Sequence, residues 1–466
     1  MRPIRNYSNP EDRKHGVLRS GEPQPERYFF SWAGRNGAMW AKDSPPKGFL
    51  ASYPEDSIDF EKTKNIFVEG DNLEVLKIFQ SSLRNRVKMI YIDPPYNANS
   101  GQQLYEDDFR DSLGKYLSTT GKSVKKPGRA HKNLETSGRL HSRWLTMIYP
   151  RIFLAKNLLQ EDGVMFVSID DTEVHNLRMI MNEIFGEENV EVMIWKKVDS
   201  NEGKLKLIKR FRIEHEYILV GYKNKEKCFF KKVSELPRFK NPTENVDDDP
   251  RGDWVSGNMS STEAISVKGG KNYYQVTSPG GRKFSRQWKF PRVEFNRLNQ
   301  DNRIYWGKNG NNVPRLKVFS NEPRLVYVSS VVEDKGTAKS ASTEISRLVE
   351  DDTFPNPKPV KLIQYLIDAA QTQNGIIMDF FAGSGTTAHA VLAQNALDGA
   401  NRSFVLVQSS EVIDSKLSGG SGSHHHNIAD ITKARIVAVI RSIEKSERME
   451  NKSLDLGMKV LRLHPL

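Results

Sequence analysis

The sequence predicts an α/β protein whose largely parallel sheet is interrupted by a smaller mixed α+β module. Three observations carry this expectation. First, short apolar runs at Ile66-Phe67-Val68, Met89-Ile90-Tyr91-Ile92 and Gly163 to Ile169 alternate with helical spacings. That alternation is the mark of strand–helix–strand units. Second, it is lost after residue 231, where strands are short, Gly and Pro are frequent, and Lys, Arg, Trp and Tyr interleave. Third, it resumes at Pro357 with a helix, a strand at Ile376-Ile377-Met378, and another at Ser403 to Val407.

The elements follow in order. Residues 1–55 are basic, broken by Pro and Gly, and carry an aromatic cluster at Tyr28, Phe29, Phe30, Trp32 and Trp40. They read as an arm that packs on the body or on a partner. After the strand at Ile66, Gly70-Asp71-Asn72 leads into a helix marked by Leu73, Leu76 and Phe79. The next strand ends at Asp93-Pro94-Pro95-Tyr96, where proline forbids both helix and further ladder pairing. Residues 97–142 are polar and glycine-rich, and a loop of that length in a domain is functional or mobile. A helix follows from Trp144 to Leu159. The strand ending at Ile169 meets Asp170-Asp171, which read as caps for a helix through Leu177, Ile180 and Ile184. Tyr217 to Val220 and Lys227 to Phe230 flank a polar turn and predict a hairpin at the sheet edge. A basic amphipathic helix is expected over Ile431 to Ile443. The resulting division is an arm (1–55), one half of the α/β domain (56–230), an inserted module (231–345) and the second half (346–466).

The chain has 466 residues and a net charge of +12, a surplus that favours a polyanionic partner through counterion release. Its single cysteine, Cys228, excludes an internal disulfide and a cysteine zinc site, reads as a small residue within a strand, and fits a reducing cytoplasm. No apolar run approaches the ~20 residues of a membrane span, and no apolar segment follows the N-terminal arginines. No membrane partner and no metal are therefore expected. Leu417 to His426 (LSGGSGSHHH) is low-complexity and reads as a flexible linker.

Two motifs carry chemistry. At Asp379-Phe380-Phe381-Ala382-Gly383-Ser384-Gly385-Thr386, a strand enters a tight turn and then a helix. Glycine lets the backbone approach a ligand, and the helix N-terminus offers N–H donors to a carboxylate. No Lys-Ser/Thr follows, which argues against a triphosphate cradle. Glu411, past the end of the next strand, is placed to grip ribose hydroxyls, yet it lies roughly 30 residues on, rather than the roughly 20 of dinucleotide folds. In Asp93-Pro94-Pro95-Tyr96, a carboxylate and a proline carbonyl can accept hydrogen bonds from an exocyclic amine. Together they favour the tetrahedral nitrogen that attacks a sulfonium methyl. Tyr96 can stack on a base rotated out of a duplex. The bland alternative is a rigid strand-to-loop turn with one capped Asp.

These motifs, with FVEGDNLEVLK, SGRLHSRWLTMIYPR, EDGVMFVSIDD, FPNPKPVKLI and NIADITKARI, resemble the blocks of β-class DNA amino-methyltransferases, as found in type III modification subunits, in that family's order. The resemblance covers nearly everything but the middle module. It implies a Rossmann-like, circularly permuted S-adenosylmethionine-dependent methyltransferase sheet, interrupted by a target-recognition domain. It implies double-stranded DNA as substrate, adenine N6 as acceptor, and Asp93, Pro94, Pro95 and Tyr96 as the catalytic turn. By the same resemblance Asp379, Phe380, Ala382, Gly383, Ser384, Gly385 and Thr386 surround the methionine part of the cofactor. Glu411 holds its ribose and Asp71, beside Asn72, its adenine amine, while Lys358 and Pro359 close over the donor. Asp71 as a helix cap and Lys358 as a solvated charge are the alternatives. The chain is shorter than the larger type III subunits, with a compact middle module. A restriction subunit and a homodimer stay open as partners. Cytosine-N4 methylation, RNA methylation and a catalytically silent DNA-specificity subunit are the rival readings. The first is disfavoured because its motif usually begins with Ser where this chain has Asp93, the last because both motifs are intact.

Overall fold

The computed structural model describes residues 29–97, 129–198, 211–237, 239, 244–349, 354, 356–410, 425–446 and 454–466. Ten strands form the main sheet: β1 (Gly48–Ser52), β2 (Ile66–Glu69), β3 (Val87–Ile92), β4 (Leu159–Ile169), β5 (Val190–Lys196), β6 (His215–Tyr222), β7 (Val331–Val332), β8 (Ile376–Asp379), β9 (Ser403–Gln408) and β10 (Lys459–Pro465). Their spatial order is β1-β10-β2-β9-β8-β3-β4-β6-β5-β7. From β10 through β4 every pairing is parallel. Among them β3, β4, β8 and β9 are covered on both faces, which is why they read as apolar runs rather than alternating ones.

Helices cover the sheet: α1 (Arg35–Asp43), α2 (Asn72–Ser82), α3 (Arg129–Leu158) and α4 (Val174–Phe185) on one side. Trp144, Ile148, Ile152, Leu76 and Leu177 join Ile90, Ile92 and Val167 of the strands there in one core. After α5 (Arg292–Gln300) and α6 (Ala338–Val349), helices α7 (Val360–Ala369), α8 (Thr386–Asp398) and α9 (Ile428–Glu444) cover the other face. Leu362, Leu366, Val391 and Ile436 meet Phe67, Phe166 and Phe404 in the second core. The part of the N-terminal arm that is described packs on the body: Phe30 and Trp32 lie against the first core, and the Trp32 indole donates to Thr146 at 3.0 Å.

Between β6 and β7 the chain builds small sheets of its own. Trp254–Asn258 pairs with Arg315–Phe319, and Tyr273–Thr277 pairs with Lys283–Gln287. Trp288, Phe295, Trp306 and Phe284 form a third core there. Most of this region's tryptophans therefore fill the interior, while Lys268, Lys271, Arg282, Lys283, Lys289 and Arg292 are exposed.

Two local expectations are corrected. The hairpin is absent. Tyr217 to Val220 belongs to β6, an interior strand antiparallel to both β4 and β5, and 227–230 is a turn followed by irregular chain. Cys228 is thus a buried residue of a loop, and burial pushes its thiol up to about 11. The long helix also begins at Arg129, so it takes up part of the stretch expected as loop. Residues 98–128, Glu411 and most of the LSGGSGSHHH stretch lie outside the described residues. No helix among those described is long and apolar enough to cross a membrane.

Candidate active site

The site lies at the carboxyl ends of adjacent parallel strands, where open α/β sheets bind ligands. β8 delivers Asp379 and its neighbour β3 delivers Asp93, so the two predicted motifs meet side by side. β9 ends at Gln408 on the other flank of β8.

The glycine turn is built as its chemistry requires. Gly383 and Gly385 adopt φ of +51° and +80°, the left-handed region that disfavours side chains. A Cβ on Gly383 would come 3.1 Å from the Phe354 ring, and one on Gly385 would come 3.1 Å from Thr432 Cγ2. The turn is held from three directions. The Gly383 amide donates to Gln408 Oε1 at 2.8 Å, and the Thr432 hydroxyl donates to the Gly383 carbonyl at 2.6 Å. Arg435, fully buried on α9, donates from Nη1 to Ser384 Oγ at 3.0 Å and to Thr386 Oγ1 at 2.8 Å. Asp379 accepts from the Phe381 amide at 3.0 Å and from the Thr387 hydroxyl at 2.6 Å. Burial pushes its carboxyl up to about 7 against those two hydrogen bonds, and the nearby Asp93 adds to the rise.

The Asp93 turn is equally constrained. Trp144 Nε1 donates to the Pro95 carbonyl at 2.7 Å. Tyr96 OH donates to Asp93 Oδ1 at 2.5 Å, and burial together with Asp93 and Glu216 keeps that phenol protonated far above its ordinary range. Lys358 Nζ donates to Asp93 Oδ2 at 2.7 Å and to Tyr96 OH at 2.9 Å, and it pairs with Glu216 Oε2 at 3.3 Å. Burial opposes the Lys358 charge, but Asp93 and Glu216 more than offset it and raise its pKa. Lys358 is thus no solvated charge; its side chain is 7% exposed. One residue further on, Asn97 donates to Glu173 Oε1 at 2.7 Å, and His141 and Asn176 bond the same buried carboxylate.

Other predicted residues have structural work. Asp71 caps α2, accepting from the Glu74 amide at 3.0 Å, and its second oxygen accepts from Arg151 at 3.2 Å. Asn72, fully buried, donates to the Phe380 carbonyl at 2.7 Å and accepts from Arg151 Nε at 2.5 Å, which ties the start of α2 to the glycine-turn block. Pro359 is the residue before α7 and sets its start. Asp170 accepts from the Thr172 amide at 2.9 Å, a local turn bond, but the N-cap residue of α4 is Glu173 with no side-chain capping bond, so the expected capping role of Asp170 and Asp171 is corrected. Phe380 and Ala382 are buried.

The residues fit S-adenosylmethionine: a turn with two glycines at positive φ, a helix N-terminus behind it and a buried acid at its start. Sequence reasoning assigned no role to Glu216, Lys197, Trp144, Arg435, Gln408 or Glu173. Trp144 and Arg435 lie inside recognisable blocks, whereas nothing local marks Glu216. Among the described residues no cluster of three or more His, Cys, Asp or Glu could hold a metal.

A sheet that sets an acid-proline turn beside a glycine turn defines an amino-methyltransferase. The chain matches the DNA methylase family of N6 and N4 enzymes over residues 87–397. It is 34% identical over 412 residues to the Mod subunit of the StyLTI type III restriction-modification enzyme of Salmonella typhimurium, covering 86% of this chain and 60% of that one. It is 30% identical to the EcoP15I Mod subunit of Escherichia coli, covering 96% and 73%. The type II methyltransferase M.KpnI of Klebsiella pneumoniae is 27% identical, covering 81% and 88%. Among solved structures, the M1.HpyAVI–SAM complex aligns with 80% of this chain and 98% of its own at 13% identity and a TM-score of 0.34. The cytosine-N4-specific PvuII DNA methyltransferase gives 82% and 96% at 11% identity and 0.36. The chain belongs to the DNA methylase family, whose members transfer a methyl group from S-adenosylmethionine, and it spans between 60% and 73% of the length of the two Mod subunits.

Proposed function

We propose that the chain is the modification methyltransferase of a type III-like restriction-modification system, acting on N6 of an adenine rotated out of double-stranded DNA. The observation that carries this reading is the adjacency of the Asp93–Tyr96 turn and the Asp379–Thr386 turn on neighbouring strand ends.

Bound S-adenosylmethionine supplies an electrophilic sulfonium methyl. The chain's residues do the rest. Gly383, Ser384, Gly385 and Thr386 present backbone to the methionine part, with Asp379, Phe380 and Ala382 shaping the floor. Asp71, Asn72 and Glu411 complete the cofactor side as the resemblance implies. Asp93 accepts one hydrogen of the target amine. The Pro95 carbonyl is engaged by Trp144, so the second acceptor is the Pro94 carbonyl. Two acceptors in fixed positions draw the nitrogen towards a tetrahedral lone pair aimed at the methyl group. Lys358 lies 5.1 Å from the Tyr96 ring centroid, so a flipped base stacks on the opposite face of that ring.

The region 231–345 is the target-recognition domain in this reading. Its exposed Lys268, Lys271, Arg282, Lys283, Lys289 and Arg292 contact phosphates and base edges. The arm (1–55) and the two halves (56–230 and 346–466) make up the rest. The family likeness supports a restriction subunit as partner, and a homodimer is its simplest alternative assembly. The test is to incubate the protein with labelled S-adenosylmethionine and unmethylated genomic DNA, then digest and chromatograph the nucleosides. Label in N6-methyldeoxyadenosine supports the reading. Label in N4-methyldeoxycytidine keeps the enzyme class and overturns the assignment of adenine.

A further inference from the structure

Asp93 is not free to meet a substrate amine. Its Oδ1 accepts from Tyr96 OH at 2.5 Å and its Oδ2 from Lys358 Nζ at 2.7 Å. Each oxygen already holds one short bond, so an entering amine shares the carboxylate with two donors and is best accommodated when one of them turns away. Lys358 is buried and charged, and Tyr96 is half-buried. A buried ammonium that turns away from Asp93 needs another acceptor, because leaving it unpaired is strongly unfavourable.

The fold supplies an alternative acceptor. Glu216, on β6, sets Oε2 3.3 Å from Lys358 Nζ and 3.3 Å from Tyr96 OH. Its other oxygen is held by Lys197 at 3.1 Å. A shift of a few tenths of an ångström moves either donor from Asp93 to Glu216. Burial disfavours the Glu216 charge, yet Lys358 and Lys197 more than compensate and hold its carboxyl below the usual range, so the receiving group is ionised at neutral pH.

We infer that Glu216 is a positioning residue for methyl transfer: it takes over Lys358 and the Tyr96 hydroxyl when the target amine takes Asp93. The inference rests on the proposed function and names a group that neither motif contains. Lys197 keeps Glu216 in place from the far side, so the two carboxylates and two lysines remain neutral as a set throughout the exchange. No proton or electron pair changes hands in it; only hydrogen bonds are redistributed.

The exchange separates entry of the base from binding of the cofactor, and the test uses that. Rates are measured with labelled S-adenosylmethionine on a duplex carrying the site found by sequencing DNA the protein has methylated. Glu216→Gln keeps shape and removes charge. It is expected to raise KM for DNA at least tenfold with cofactor Kd unchanged. Glu216→Gln with Lys358→Met removes the stranded ammonium and recovers most of that KM, a rescue that a structural role for Glu216 does not predict. Wild-type KM in Glu216→Gln, or no rescue in the double variant, overturns the inference. If Glu216→Gln does not fold, Lys197→Met, which releases the other Glu216 oxygen, decides: KM for DNA rises severalfold with cofactor Kd unchanged, and wild-type KM overturns the inference. Failure of the wild-type protein to methylate adenine in any DNA would instead overturn the proposed function and this inference with it.

Discussion

The indole nitrogen of Trp144, at the buried middle of a long helix, donates a 2.7 Å hydrogen bond to the carbonyl of Pro95. The catalytic turn is thereby fastened to the helical layer behind it. Trp144→Phe keeps the ring and removes the donor, leaving a buried carbonyl unsatisfied at about 1–3 kcal/mol. The expected result is a loss of about tenfold or more in kcat, with cofactor affinity unchanged and a melting temperature a few degrees lower. Equal losses in cofactor affinity would mean that the helix, not the turn, was disturbed.

Arg435 is the counterpart on the cofactor side. Its Nη1 bonds both Ser384 and Thr386, and its Nη2 pairs with Glu344 at 3.5 Å. Arg435→Met leaves two turn hydroxyls without that donor, so the Kd for S-adenosylmethionine should rise about tenfold by calorimetry. DNA retention in a gel shift should not change, because Arg435 is far too buried to touch a duplex.

Asp71 offers a choice between two roles. If Asp71 only caps α2 it needs just an oxygen, so Asp71→Asn keeps cofactor Kd within about threefold, whereas Asp71→Ala costs about 1 kcal/mol of stability. A tenfold loss of cofactor affinity in the Asn variant would assign the carboxylate to the cofactor's adenine amine instead.

His389 sets a pH dependence. Burial, helped by Arg435, holds its imidazole down at about 3, below the ordinary value of about 6.5. As pH falls through about 6.5, the unfolded chain gains a proton that the folded chain refuses until about 3, so this residue's stability contribution is full above about 6.5 and lost on the way down. His389→Gln keeps an acceptor for Arg435, which bonds His389 Nδ1 at 3.3 Å, and removes the titration. Its melting temperature relative to wild type should therefore rise between about pH 7 and pH 5. A difference that does not move with pH contradicts the assignment.

What could be read from sequence follows the physics of each element. β3, β4, β8 and β9 are covered on both faces, so they announce themselves as apolar runs. The two turns were legible because glycine at positive φ and paired proline have few other uses at a strand end. Cys228-Phe229-Phe230 misled for the same reason in reverse: it is an apolar run in a loop, and Phe229 is 71% exposed. Arg435 read as one basic residue of an amphipathic helix, and only tertiary packing buries it. Glu216 was invisible, because its meaning comes from β6 running antiparallel between β4 and β5, a placement that no local pattern encodes.

The central claim is that the Asp93 carboxylate receives the target amine. Asp93→Ala tests it most directly, with labelled methyl transfer to unmethylated genomic DNA and cofactor Kd measured on the same preparation. The account predicts that transfer falls to background while cofactor Kd stays close to wild type. Transfer at the wild-type rate in that variant would contradict it.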